Sequence, residues 1–104
     1  MAVKEKVYNS VRERHRVKPP KRWGVKFYND DVTSFDAVIL ILMQVFEQDI
    51  MQAFAFAQAV DKEGSGIIGN YSKEIAEEKK QEALSLTKEL KVPLRIEAIE
   101  LEDE

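Results

Sequence analysis

Between residues 23 and 28 the chain alternates, Trp23-Gly-Val-Lys-Phe-Tyr28, with Trp23, Val25 and Phe27 on one side. A period of two is that of a strand with one face against a core. Asn29-Asp30-Asp31 ends it, because short polar side chains hydrogen-bond their own backbone in turns. Thr33 or Ser34 can then cap a helix, with Asp36 in its first turn, where the macrodipole favours an acid. The pattern predicts that helix over residues 34–47, apolar nearly all round (Phe35, Val38 to Met43, Val45, Phe46). A second helix, residues 49–60, is similar, with Ile50, Met51, Phe54, Phe56 and several alanines. Helices without a broad polar face are expected to be buried on most sides, against each other and a sheet. Gly64-Ser-Gly66 loosens the chain before a short strand, residues 67–71. Ser72 caps a third helix over residues 73–91, with Glu74, Glu77 and Glu78 early and Lys88 and Lys91 late. Its apolar stripe (Ile75, Ala76, Ala83, Leu86, Leu90) is narrow, as on a surface helix. After Pro93, the residues Leu94, Ile96 and Ala98 alternate as a last strand, and the parity slips at Ile99 and Leu101. The order is β-α-α-β-α-β. It predicts an α+β domain: a small three-stranded antiparallel sheet with the helices packed on one face.

The first 20 residues carry no sustained apolar period and end in Pro19-Pro20, which continues neither a helix nor a central strand. Residues 1–20 are therefore read as a flexible basic arm and residues 21–104 as the folded domain. Charge divides near the same place. Residues 1–26 hold nine Lys or Arg against Glu5 and Glu13; residues 27–104 hold seven against seventeen acids. An arm so charged suits an acidic partner or nucleic acid, or folds back on its own domain. Against nucleic acid, the acidic body repels phosphates, and only Tyr8 and Trp23 are placed for base stacking. Salt-dependent retention on DNA would mark that reading.

Other classes are excluded on composition. No uncharged stretch approaches the ~18 apolar residues of a membrane span, and the first 22 residues hold no apolar signal-peptide core. With no cysteine there is neither disulfide nor thiolate metal site, and the cytoplasm is the expected compartment. Catalysis is poorly provided for, since the one histidine, His15, lies in the arm and no serine belongs to a nucleophile elbow. No enzyme activity, cofactor or metal is expected. Asp61 to Ser72 partly mimics a calcium loop, with Asp61, Glu63 and Ser65 as spaced ligands and Gly66 at the turn. The bidentate glutamate such a loop ends on is replaced by Ser72, so the segment is read as a Gly-rich helix-to-strand connection. Asn29-Asp30-Asp31-x-Thr33 places acceptors beside a very apolar helix, although by itself the segment reads first as a turn plus an N-cap.

From Lys18 to Glu97 the sequence resembles the ClpS adaptors. The matching pieces are Lys18-Pro19-Pro20, Asn29-Asp30-Asp31-x-Thr33, Val60, Gly64, Gly66-Ile67-Ile68-Gly69-x-Tyr71, Ser72-x-Glu74-Ile75-Ala76-Glu77-x-Lys79 and Pro93-Leu94, in the family's order. The resemblance implies an adaptor that binds N-degrons, a free α-amino group plus a bulky apolar first residue, and delivers them to a Clp AAA+ unfoldase. An ammonium has three donors and needs several acceptors at one point. By match to the family, Asn29, Asp30 and Thr33 supply them, and Phe35, Val38, Ala57, Val60 and Leu94 form the apolar pocket. An internal leucine lacks the ammonium and leaves buried acceptors unpaired. Glu74 and Lys79 match the family's unfoldase-docking positions, and the arm matches its variable extension, which engages the unfoldase. The resemblance implies a monomer.

Three positions depart from the family pattern. Asp61 stands where the family has a histidine that contacts the amine, and a carboxylate also accepts from an ammonium. Phe35 replaces a flexible residue at the pocket mouth, and Ala57 replaces a larger one inside it. Together they predict a pocket of changed shape, with apolar ligands ranked differently. A ClpS-like domain with a lost or altered N-degron site is the alternative.

Overall fold

The computed structural model describes residues 20–102; His15 and all of the arm but Pro20 lie outside them. Strands β1 (Trp23–Tyr28), β2 (Ser65–Tyr71) and β3 (Arg95–Glu100) and helices α1 (Phe35–Val45), α2 (Ile50–Glu63) and α3 (Lys73–Leu90) follow in the predicted order. β1 is central, antiparallel to β2 on one side and β3 on the other.

Alternation from Val25 to Tyr28 decides which side chains meet the helices, and the register with β2 shifts between Trp23 and Val25. Val25 pairs with Ile68 and Ala98, and Phe27 with Gly66 and Ile96. Val25, Phe27, Ile68 and Ile96 join Ile41, Leu42 and Val45 of α1 and Ala76 and Ala83 of α3 in one core. Phe27 is at its centre, edge-on to Phe46 and to Phe56, each at 5.7 Å. Fully burying such a ring is worth about 1.5–3 kcal/mol. The slip of parity at Ile99 and Leu101 also has its explanation here. Ile99 sits opposite Gly24 on the sheet's outer face, and a Cβ at Gly24 would lie 2.7 Å from Ile67 Cγ2 and 3.2 Å from Leu101 Cδ2. The missing side chain leaves room for Ile67 and Leu101 to close over β1.

Helix ends follow sequence closely. Ser34 Oγ accepts from the Ala37 N–H, Ser72 Oγ from the Ile75 N–H, and Asp49 with Gln52 forms a reciprocal capping box. α2 runs on to Glu63, past the expected end, and stops at Gly64, whose φ of 94° is left-handed. In consequence Asp61 and Glu63 are helical and residues 65–71 are a strand, so no calcium loop forms. Among the described residues no cluster of three His, Cys, Asp or Glu side chains could hold a metal, and no helix is long and apolar enough to cross a membrane.

The burial of α2 differs from expectation. Ala53, Ala57 and Val60 are its buried residues, whereas Ile50, Met51 and Phe54 are exposed. The small side chains let the helix approach α1 and β2 closely; of the large ones, Phe56 packs on Phe27 and the core, and the other three are left outside. On α3, Ile75 is exposed and Thr87 is buried, its hydroxyl donating to the Leu84 carbonyl at 2.8 Å.

Candidate functional site

Where β1 ends, its loop is stitched to the end of α2. The Asn29 N–H donates to the Gly64 carbonyl at 2.9 Å, which sets Asn29 and Asp30 beside the last turn of α2 and therefore near Asp61. The loop then folds around Asp30. One carboxylate oxygen accepts from the N–H groups of Val32 (2.9 Å) and Thr33 (2.6 Å), and the other from the Thr33 hydroxyl (2.7 Å). Burial pushes the Asp30 carboxyl up, but the three hydrogen bonds from Thr33 and Val32 together outweigh it and hold its pKa below the ordinary value. The loop is thus fixed by a charged hub.

A cleft of about 340 Å³ opens between this loop, the start of α1, the α2 face and the segment entering β3. It is lined by Asn29, Asp30, Thr33 and Asp61 at one end and by Phe35, Val38, Ala57, Val60 and Leu94 along its apolar walls. All nine residues read from the sequence as one site are therefore brought together. Val38, Ala57, Val60 and Leu94 are buried, Phe35 is 36% exposed at the rim, and Asn29 and Asp61 are exposed. Among the described residues the side chains of Asn29 and Asp61 take part in no hydrogen bond or ion pair, so their oxygens are available. Three carboxylates (Asp30, Asp31, Asp61) and no Lys or Arg line the cleft, so its electrostatics favour a cation.

Two lining residues were missed in the sequence. Asp31 belongs to the same turn, and its type was the available signal. Tyr28 offered none, because its place depends on how β1 ends. Its hydroxyl donates to Glu97 at 2.9 Å, and the Arg95 guanidinium lies over its ring at 4.3 Å. The bond to Glu97, with burial and that carboxylate's charge, raises the Tyr28 pKa. Arg95 also donates to Glu97 at 2.7 Å and holds the Glu97 carboxyl below its ordinary range, with help from Tyr28.

The other two candidate residues are elsewhere, on α3. Glu74 is exposed in its first turn. Lys79 is half-buried, its ammonium donating to the Val45 carbonyl at 3.0 Å, where it satisfies the end of α1 and joins two helices. Neither lines the cleft.

Comparison with known proteins places this geometry. Residues 18–97 match the family model described as ATP-dependent Clp protease adaptor protein ClpS. The ATP-dependent Clp protease adapter protein ClpS of Vibrio atlanticus is 43% identical over 83 residues, 80% of this chain and 78% of that protein. Its counterpart from Hydrogenovibrio crunogenus is 40% identical over 84 residues, 81% of each chain. The structure of Agrobacterium tumefaciens ClpS2 bound to L-phenylalaninamide superposes with a TM-score of 0.76 at 29% identity, covering 80% of this chain and all of that one. The fold, the matched span and the identities agree: this chain belongs to the ClpS family of ATP-dependent Clp protease adaptors.

Proposed function

We propose that the cleft binds the N-terminal residue of a protein substrate, and that the chain delivers that substrate to a Clp AAA+ unfoldase in the cytoplasm. The observation that carries this reading is the joining, in one cleft, of uncommitted acceptors on Asn29 and Asp61 with an apolar pocket. An α-ammonium needs acceptors converging on one point, and a bulky first side chain needs an apolar space beside them. L-Phenylalaninamide, bound by the Agrobacterium relative, combines those two groups, an α-amino group and a benzyl side chain.

In this reading Asn29 and Asp61 accept two of the ammonium's hydrogens. The Thr33 hydroxyl, whose proton is turned to Asp30, presents its lone pairs to the third. Asp30 shapes the turn and adds negative charge. The first side chain passes Phe35 and packs on Val38, Ala57, Val60 and Leu94. Glu74 and Lys79 are assigned to unfoldase docking. The Lys79 bond to Val45 gives that residue a packing role in the same region.

Fluorescence anisotropy with peptides beginning Phe, Leu, Trp or Val, each free and N-acetylated, tests the reading. Binding that requires both the free amine and the apolar side chain is the expected result. Equal binding of the acetylated forms, or none by any free peptide, would leave only the fold, with its site altered or lost.

A further inference from the structure

Phe35 and Phe54 make the edge-on aromatic pair that stands outside the core of the described residues. Their centroids are 5.3 Å apart at 69°, with Phe35 36% and Phe54 47% exposed. Phe54 does not line the cleft, but it continues the cleft wall. On α2, Ile50, Phe54, Ala57 and Asp61 follow at the spacing of one helical stripe. From the end rich in acids, that stripe runs past the pocket and out over an exposed apolar surface.

A peptide held by its ammonium at the Asn29 and Asp61 end leaves the pocket past Phe35. In an extended peptide successive side chains point to opposite sides, so residues 1 and 3 face the same wall, about 6.6–6.8 Å apart. The Phe54 ring stands 5.3 Å from that of Phe35, which is at the pocket mouth, within reach of a side chain displaced by such a step. We infer that the Phe35–Phe54 pair is a second subsite, which takes an apolar side chain at the third residue of the bound N-terminus. Phe35 is shared by both subsites, whereas Phe54 belongs to the second alone. The selectivity of the adaptor thus reaches beyond the first residue. This inference rests on the amine-site reading above.

Anisotropy with three free-amine peptides that differ only near the start tests it: Phe-Ser-Leu, Phe-Ser-Ser and Phe-Leu-Ser, each on a common tail. With the unaltered chain, Phe-Ser-Leu should bind about three- to tenfold more tightly than Phe-Ser-Ser, as partial burial of one leucine supplies. Phe54→Ala should abolish that difference and leave Phe-Ser-Ser within twofold. Phe54→Leu should restore part of it. Circular dichroism would confirm that both variants are folded, as the exposure of Phe54 leads one to expect. Equal affinities for the first two peptides, a preference at the second position alone, or a preference that survives Phe54→Ala would each overturn the subsite. Loss of binding by all three peptides would overturn the amine site, and the subsite with it.

Discussion

At the scale of single residues, the site turns on what each carboxylate is already doing. Asp30 is committed to its own loop through three hydrogen bonds, whereas Asp61 is committed to nothing among the described residues. Asp61→Ala should therefore weaken free-amine peptides without unfolding the protein. The expected loss is about three- to tenfold, low for a charged hydrogen bond because the carboxylate is well solvated before binding. Adding salt should weaken the unaltered protein more than the variant, since screening acts on the charge that the variant lacks. Anisotropy at two ionic strengths would show this, and equal salt dependence would remove Asp61 from the amine site. Asp30 predicts a different pH effect. Its folded pKa is depressed, so its contribution to stability is present above its unfolded value, about 3.9, and is lost as pH falls through the lower folded value. Thermal unfolding across the range below about pH 4 should show that loss in the unaltered protein and a smaller one in Asp30→Asn. Asn29, Asp30 and Thr33 were legible as polar residues leaving a strand. Which were committed was not, because that depends on hydrogen-bond directions within the folded turn.

Among elements, the cleft depends on how closely α2 lies on β2. Gly66 makes that approach possible: a Cβ there would stand 2.9 Å from Val60 Cγ2 and 3.1 Å from Phe56 Cζ. Val60 is short and branched and cannot swing aside, so Gly66→Ala must displace the helix or strain the side chain. Overpacking of this kind costs about 1–3 kcal/mol. The melting temperature should fall, and because Val60 lines the pocket, affinity for a Phe-initial peptide should fall with it. An unchanged melting point would mean that α2 and β2 are not held this tightly. The elements themselves were legible in the sequence, because a strand's period and a helix's caps are local. The outward face of α2 was not. Hydrophobicity ranks Phe54 above Ala57, yet packing buries the alanine, since the smaller side chain lets the helices close. The slip at Ile99 was likewise legible only as an irregularity. Its cause, a glycine on the paired strand, is 75 residues away in sequence.

For the molecule as a whole, the unequal division of charge is the ground for proposing two tasks. The body is strongly acidic, and the acid-lined cleft is built wholly from residues 28–94. The arm contributes most of the basic excess and precedes Lys21, whose ammonium is 2.9 Å from Glu100, and Arg22, which donates to Asn70 at 2.7 Å. Those contacts fasten the entry to β1 among the described residues. Cutting after residue 17 should therefore leave the fold, the cleft and its affinity for a free-amine peptide unchanged within experimental error. Delivery is a different matter, because an unfoldase must take hold of something, and the proposed role of the arm is to be that handle. With residues 1–17 removed, degradation of a Phe-initial reporter by the Clp unfoldase and its peptidase should fall to the level seen without adaptor. The truncated chain should also inhibit delivery by the intact one, since it still captures substrate. If degradation persisted at the intact rate, docking through α3 would suffice for hand-off and the arm would have no part in it. If peptide affinity fell instead, the basic residues would belong to the binding surface, and the two tasks would not be separable along the chain.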